Sequence, residues 1–137
     1  MAEMSARLEW TGGKSFEAIS GSGHAIIVDG DRENGASPME TLLIGMGGCT
    51  SVDVVFILER MREKVTGCIA EIQATRSDED PKVFTRIHVH FVVTGTGLTE
   101  TKVARAIDLS ATKYCSASIM LGKTAEITHD FEIKESD

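Results

Sequence analysis

Ser37-Pro38-Met39-Glu40-Thr41-Leu42-Leu43-Ile44-Gly45-Met46-Gly47-Gly48-Cys49 opens the stretch on which the fold turns. Ser stands at an N-cap, Pro at the first helical position and Glu at the third, the pattern of a capping box. It predicts a helix from Pro38 to about Lys64. That helix is apolar at Leu42, Leu43, Ile44, Met46, Val52, Val54, Val55, Phe56, Ile57 and Leu58, and solvated at Glu59, Arg60, Arg62, Glu63 and Lys64. A helix apolar nearly all round is a buried one. Each of Gly45, Gly47 and Gly48 costs about 1 kcal/mol of helix stability relative to Ala. Three of them together call for a reason. Either another backbone comes close, such as a second copy of the same helix, or a substrate needs room.

Outward from this helix the patterns change period. Residues 4–10, 14–20 and 24–29 read as three short strands, separated by Thr11-Gly12-Gly13 and Gly21-Ser22-Gly23 and closed by Asp29-Gly30. A polar loop covers 31–36. Beyond the helix, Cys68, Ala70, Ile72 and Ala74 alternate with Glu71, Gln73 and Thr75, and Ile87, Val89, Phe91 and Val93 alternate with Arg86, His88 and His90. This is the period of half-buried antiparallel strands. Leu98–Thr112 reads as a helix, Cys115–Leu121 as a short one stopped at Gly122. A last strand sets Ala125, Ile127, His129, Phe131 and Ile133 against Glu126, Thr128, Asp130 and Glu132. The order predicts one α+β domain over 1–137, antiparallel sheets around a long buried central helix.

The net charge of -7, with no Lys/Arg run, argues against nucleic acid and against an anionic membrane surface. MAEMSARLEW lacks the basic-then-apolar order of a signal peptide, and no apolar run reads as long enough to span a bilayer. The expectation is a cytoplasmic protein. In so short a chain, oligomerisation would bury more surface. Three cysteines, an odd number, do not make a secreted disulfide scaffold.

Chemistry centres on the cysteines. Cys49 shares its helical face with Leu42, Gly45, Met46, Val52, Asp53 and Phe56, an apolar lining with one carboxylate. It reads either as a reactive thiol or as an inert core one. Burial and Asp53 both disfavour a thiolate there, so a cation is needed, with Lys14, Arg7 and Arg32 available. Cys115, in Lys113-Tyr114-Cys115-Ser116, sits at a helix start that favours a thiolate; the other reading is an ordinary half-exposed cysteine. Cys68 alternates with core residues and reads as packing. His88 and His90 share a strand face with Arg86, and no Cys, Asp or Glu completes a ligand set by spacing, so no metal and no cofactor is expected. His129 reads as a satisfied core histidine. No phosphate loop and no Ser/His/Asp motif is present.

At Ser37-Pro38-Met39-Glu40, Gly47-Gly48-Cys49 and Tyr114-Cys115-Ser116-Ala117-Ser118 the chain resembles the OsmC-like superfamily, which includes the organic hydroperoxide resistance proteins. The likeness covers nearly the whole chain and its order of elements. It is strongest to a short bacterial subgroup that shares the Ser-Pro-Met-Glu, Gly-Gly-Cys and Lys-Tyr-Cys wording. The resemblance implies an intertwined homodimer with its central helices packed together. It also implies a peroxidase in oxidative-stress defence. Cys49 would attack a small organic hydroperoxide and become a sulfenic acid, Cys115 would resolve it to a disulfide, and an external dithiol would restore both. The family's Glu after Pro is Met39 here. Glu40 follows one residue later, about two and a half turns before Cys49, and suits the capping box better than catalysis. The family's Gly-Gly-Arg turn corresponds to Gly12-Gly13-Lys14, so Lys14 and Glu40 are the possible supporting residues. Ser116 stands where the family often has Pro. The alternative is a non-enzymatic module that binds a small apolar ligand around Cys49.

Overall fold

The computed structural model describes residues 3–136. They form two compact units, one ending at Ile44 and one beginning at Gly45. In the first, strands β1 (Ala6–Gly12), β2 (Ser15–Ser20) and β3 (Ala25–Asp29) make an antiparallel sheet in that order. The β1–β2 hairpin turns on Gly12 and Gly13, whose φ values of 122° and 56° only glycine adopts cheaply. The register lines up Leu8, Ala18 and Ile26, then Trp10, Phe16 and Val28, on one face. That face is apolar, yet Leu8, Trp10 and Ile26 are all more than half exposed. Beyond β3, the carboxylate of buried Asp29 accepts from the backbone N–H groups of Asp31, Glu33 and Asn34 at 2.8–3.3 Å. These bonds fold the polar loop and hold the Asp29 carboxyl below its usual range.

Helix α1 spans Pro38–Arg60. Its capping box forms as the sequence predicts: the Glu40 N–H donates to Ser37 Oγ at 3.2 Å, and the Ser37 N–H donates to Glu40 Oε1 at 2.9 Å. The helix stops at Arg60, short of the expected Lys64. Arg62 adopts a left-handed φ of 64°, its N–H bonds the Glu59 carbonyl, and the Glu63 N–H reaches back to the Leu58 carbonyl. This is a Schellman closure with Arg in the place glycine usually holds, and the sequence carries no glycine to announce it.

In the second unit, β4 (Lys64–Arg76), β5 (Phe84–Thr96) and β6 (Glu126–Glu135) form a sheet with β5 in the centre. β4 and β5 pair antiparallel as expected, but β6 runs parallel to β5, so this sheet is mixed. A parallel return needs a long crossover, supplied by α2 (Glu100–Leu109), a π-helical turn (Ser110–Tyr114) and α3 (Ser116–Leu121). Phe84, Ile87, Val89, Phe91 and Val93 of β5 are buried, together with Met46, Val54 and Leu58 of α1 and Val103, Ala106 and Ile107 of α2. A fully buried side chain of this size contributes about 1.5–3 kcal/mol.

The three glycines of α1 do not share one reason. A methyl group on Gly47 would lie 2.6 Å from Ile72 Cδ1 of β4, so Gly47 admits the close approach of helix to strand. Around Gly45 and Gly48 a methyl group would meet nothing within 4 Å. These two lie, on helical spacing, in an open stripe with Val52 and Phe56, which are 69% and 57% exposed. α1 is therefore buried along one side only within a single chain. The expectation that no apolar run could span a bilayer is also corrected, since α1 is long and apolar enough to do so by length and composition. Its buried side is packed in the protein core at Met46, Val54 and Leu58.

Candidate active site

Two elements of the second unit supply the site. α1 carries Cys49, Thr50 and Asp53, and the crossover carries Ser110, Cys115 and Ser118. Cys49 lies at the border between the buried side of α1 and its open stripe, and is half-buried. Asp53 lies one turn further along. The π-helical turn brings up the rest. The Cys115 N–H bonds the Ser110 carbonyl at 2.7 Å, an i to i+5 closure that widens the chain just before Cys115.

Cys49 Sγ, Cys115 Sγ and an Asp53 carboxylate oxygen all lie within 4.8 Å of one another. Ser110 Oγ donates to Asp53 Oδ2 at 3.1 Å, and Ser110 and Thr50 share a hydroxyl contact of 2.8 Å. Ser110 has one hydroxyl proton, and giving it to the carboxylate leaves Thr50 as the donor in that contact. Both hydroxyl residues are buried. The chain Thr50–Ser110–Asp53 thus fixes the carboxylate beside the two thiols.

Cys115 is fully buried and caps α3. Its sulfur accepts from the Ser118 hydroxyl at 3.0 Å and from the Ser118 N–H at 3.3 Å. The half-exposed reading of Cys115 is corrected; the start of α3 does favour a thiolate through Ser118, but burial outweighs it. Burial pushes the thiol up; the two Ser118 donors pull it down, and the adjacent Cys49 sulfur, which it faces as a proton partner, pushes it up again. The net direction is up. Cys68 is half-buried on β4 opposite Val93, and burial raises its thiol as well.

A cavity of about 570 Å³ adjoins the thiol cluster. Asp53 is shared between the two. Phe56, Ile57, Met61 and Leu109 give the cavity apolar walls, with Arg60 and Tyr114 as its polar members. Arg60 stacks over the Phe56 ring at 5.7 Å.

The other residues singled out in the sequence fall elsewhere. Glu40 is occupied by the capping box, and the Ser37 N–H holds its carboxyl below the usual range. Lys14 Nζ pairs with Asp31 Oδ1 at 3.4 Å in the first unit. His129 is half-buried on β6 rather than a core residue. The reading of His88 and His90 as lacking acidic company is corrected too. The parallel register sets His88 beside Thr128 and His90 beside Asp130. His88 contacts Thr128 Oγ1 at 2.7 Å and Asp130 Oδ1 at 3.0 Å. His90 contacts Asp130 Oδ1 at 2.7 Å and Glu132 Oε2 at 3.0 Å. Sequence spacing could not show this, because it depends on the direction of β6. Ser110 and Ser118 were also missed, since nothing local marks a serine as the orienter of a carboxylate or a thiol.

Comparison with known proteins agrees with the fold and with the family resemblance. A family model described as OsmC-like protein matches residues 29–130. Protein YhfA of Escherichia coli K12 is 47% identical over 131 residues, covering 95% of this chain and 98% of that relative. The crystal structure of a hypothetical protein from Aquifex aeolicus superposes with a TM-score of 0.91 at 28% identity, covering the whole of both chains. The organic hydroperoxide resistance protein OhrB of Bacillus subtilis shares the fold at a TM-score of 0.65 and 14% identity, with 96% of this chain and 98% of that one covered. With the family model spanning most of its length and YhfA nearly all of it, the chain belongs to the OsmC-like family.

Proposed function

We propose that the protein is a thiol-dependent peroxidase for small organic hydroperoxides, acting in oxidative-stress defence. The observation that carries this reading is the convergence of Cys49, Cys115 and Asp53 within 4.8 Å beside an apolar cavity. Cys49 is the more accessible of the two thiols and attacks the outer peroxide oxygen. The S–O bond forms, the O–O bond breaks, and the departing alkoxide takes a proton. Asp53 is suited to relay that proton from the Cys49 thiol to the alkoxide, and Ser110 holds it in place. The sum is thiol plus hydroperoxide to sulfenic acid plus alcohol. Cys115 then attacks the sulfenic sulfur, and its proton leaves with the hydroxyl as water. A dithiol reductant reopens the disulfide by exchange. A relay carboxylate meets the need that a nearby cation would otherwise meet, which suits a chain with Met39 where the family has Glu.

The same reading includes a homodimer in the cytoplasm. The apolar face of the β1–β3 sheet and the α1 stripe of Gly45, Gly48, Val52 and Phe56 are exposed in the single chain. Exposed apolar surface of either kind marks an interaction site. A second copy of the helix fits the open stripe, because glycine lets two backbones approach closely.

The test is consumption of cumene hydroperoxide with a dithiol reductant. Turnover well above that of free cysteine is expected, lost in Cys49→Ser. A wild-type rate no faster than free cysteine would end the peroxidase reading. The second reading, a module that holds an apolar ligand in the cavity around Phe56 and Met61, would then take its place, provided that both thiols also stay reduced.

A further inference from the structure

We infer that the reduced protein binds one zinc ion per chain at Cys49, Cys115 and Asp53. The donor set is two thiolates and a carboxylate. Zinc holds sulfur at about 2.3 Å and carboxylate oxygen at about 2.0–2.2 Å in a tetrahedron. Two sulfurs on one ion are therefore about 3.8 Å apart. The three donors, already within 4.8 Å of one another, close onto an ion by side-chain rotation of about 1 Å. Their surroundings match what a bound ion needs. Ser110 donates to Asp53 Oδ2 and leaves the other carboxylate oxygen free as a ligand. Ser118 gives Cys115 Sγ two hydrogen bonds, which are kept and strengthened when that sulfur becomes a thiolate. Half-buried Cys49 and Asp53 give the ion its way in, and the fourth position is left to water.

Charge balance fixes the consequences. Zinc binding displaces the two thiol protons, and the complex of Zn²⁺ with two thiolates and one carboxylate carries a net charge of -1. Because two protons leave as the ion binds, binding tightens as the pH rises. The remaining consequence rests on the peroxidase reading. Hydroperoxide and two protons convert the zinc-bound thiolates into a disulfide, an alcohol, water and free Zn²⁺. Zinc and peroxide then compete for one pair of sulfurs, so the ion restrains the enzyme and oxidation releases the ion. Sequence spacing gives no hint of this site, because the donors come from α1 and from the cap of α3.

The experiment uses the full chain, reduced and freed of metal. Zinc alone is titrated in competition with a chromogenic chelator, and cobalt(II) is titrated in parallel as a spectroscopic stand-in. One equivalent of zinc retained per chain and two protons released are expected. Cobalt should give a thiolate-to-metal charge-transfer band and the intense visible bands of a tetrahedral site. Cys49→Ser and Asp53→Asn should each lose the retained zinc, and Ser110→Ala should weaken it about tenfold. Alkylating the thiols of the folded wild type should abolish binding and checks the variants independently of their folding. His88→Gln with His90→Gln, on the outer face of β5, should leave binding unchanged. No retained zinc, no charge-transfer band, or a loss of binding in the histidine variant in place of the cysteine variants would overturn the inference. Hydroperoxide turnover is measured separately on metal-free protein, so failure of the peroxidase reading and failure of the zinc site give different results.

Discussion

Cys49 and Cys115 differ in exposure and in company, and their chemistry should differ accordingly. Cys115 is fully buried and its thiol is pushed up, as is that of Cys68. Iodoacetamide at about neutral pH should therefore label Cys49 first in the native protein; equal labelling of all three, read by peptide mass spectrometry, would contradict the assignment. Asp53→Asn keeps the shape of the side chain and removes the proton relay. It should slow peroxide consumption by about a hundredfold while the fold is kept. Cys68→Ala should keep full turnover and cost about 1 kcal/mol in urea unfolding, as the loss of one half-buried sulfur implies. The two motif cysteines were legible from their local wording, and Cys68 from strand alternation. Asp53 was visible only as a neighbour at i+4. Its orienter Ser110 was not visible at all, because that contact joins residues 57 positions apart in sequence.

At the scale of elements, the capping box placed the start of α1 correctly, and period-2 alternation placed β4, β5 and β6. The misses have definite causes. The α1 terminus rests on a left-handed Arg62, which residue type does not announce. The π-helical turn at Ser110–Tyr114 buries only the polar Ser110, so no apolar pattern sets it apart from the helix it extends. The parallel sense of β6 is a property of the crossover and not of its own alternation, which is identical for either direction. That last point has a measurable result. His90 is flanked by Asp130 and Glu132 from β6, with His88 alongside, and the register sets Glu71 of β4 opposite it. The hydrogen bonds its ring N–H groups donate to Asp130 and Glu132 raise its proton affinity. The folded chain thus holds this proton more tightly than the unfolded one. The contribution to stability is complete below the ordinary imidazole value of 6.5 and is lost as the pH rises through the raised folded value. Asp130, held low by His90 and then His88, contributes in the opposite sense, above 3.8, and its share is lost on acidification. The melting temperature should fall modestly as the pH rises above 6.5, and His90→Gln should flatten that fall. Identical slopes in the two proteins would show that the ladder is solvated without consequence.

For the whole molecule, the α+β class and the family were legible because the capping box, the glycines and both cysteine contexts agree on one arrangement. The side of α1 left open was not legible, since a helix apolar all round looks the same whether its own chain or a second copy covers it. Gly45 separates these cases. A Cβ at this position meets nothing within 4 Å, so Gly45→Leu should leave the single chain folded, yet it should weaken the proposed dimer strongly. Sedimentation equilibrium should find wild-type dimers and Gly45→Leu monomers at micromolar concentration; a folded wild-type monomer would remove the dimer from the account. The central claim, that Cys49 attacks and Cys115 resolves, is tested most directly by mass spectrometry of the reduced protein before and after one equivalent of cumene hydroperoxide. The account predicts the loss of two hydrogens per chain, a single Cys49–Cys115 cross-linked peptide, and a dimedone-labelled Cys49 when Cys115 is replaced by Ser. An unchanged mass, or a disulfide that includes Cys68, would contradict it.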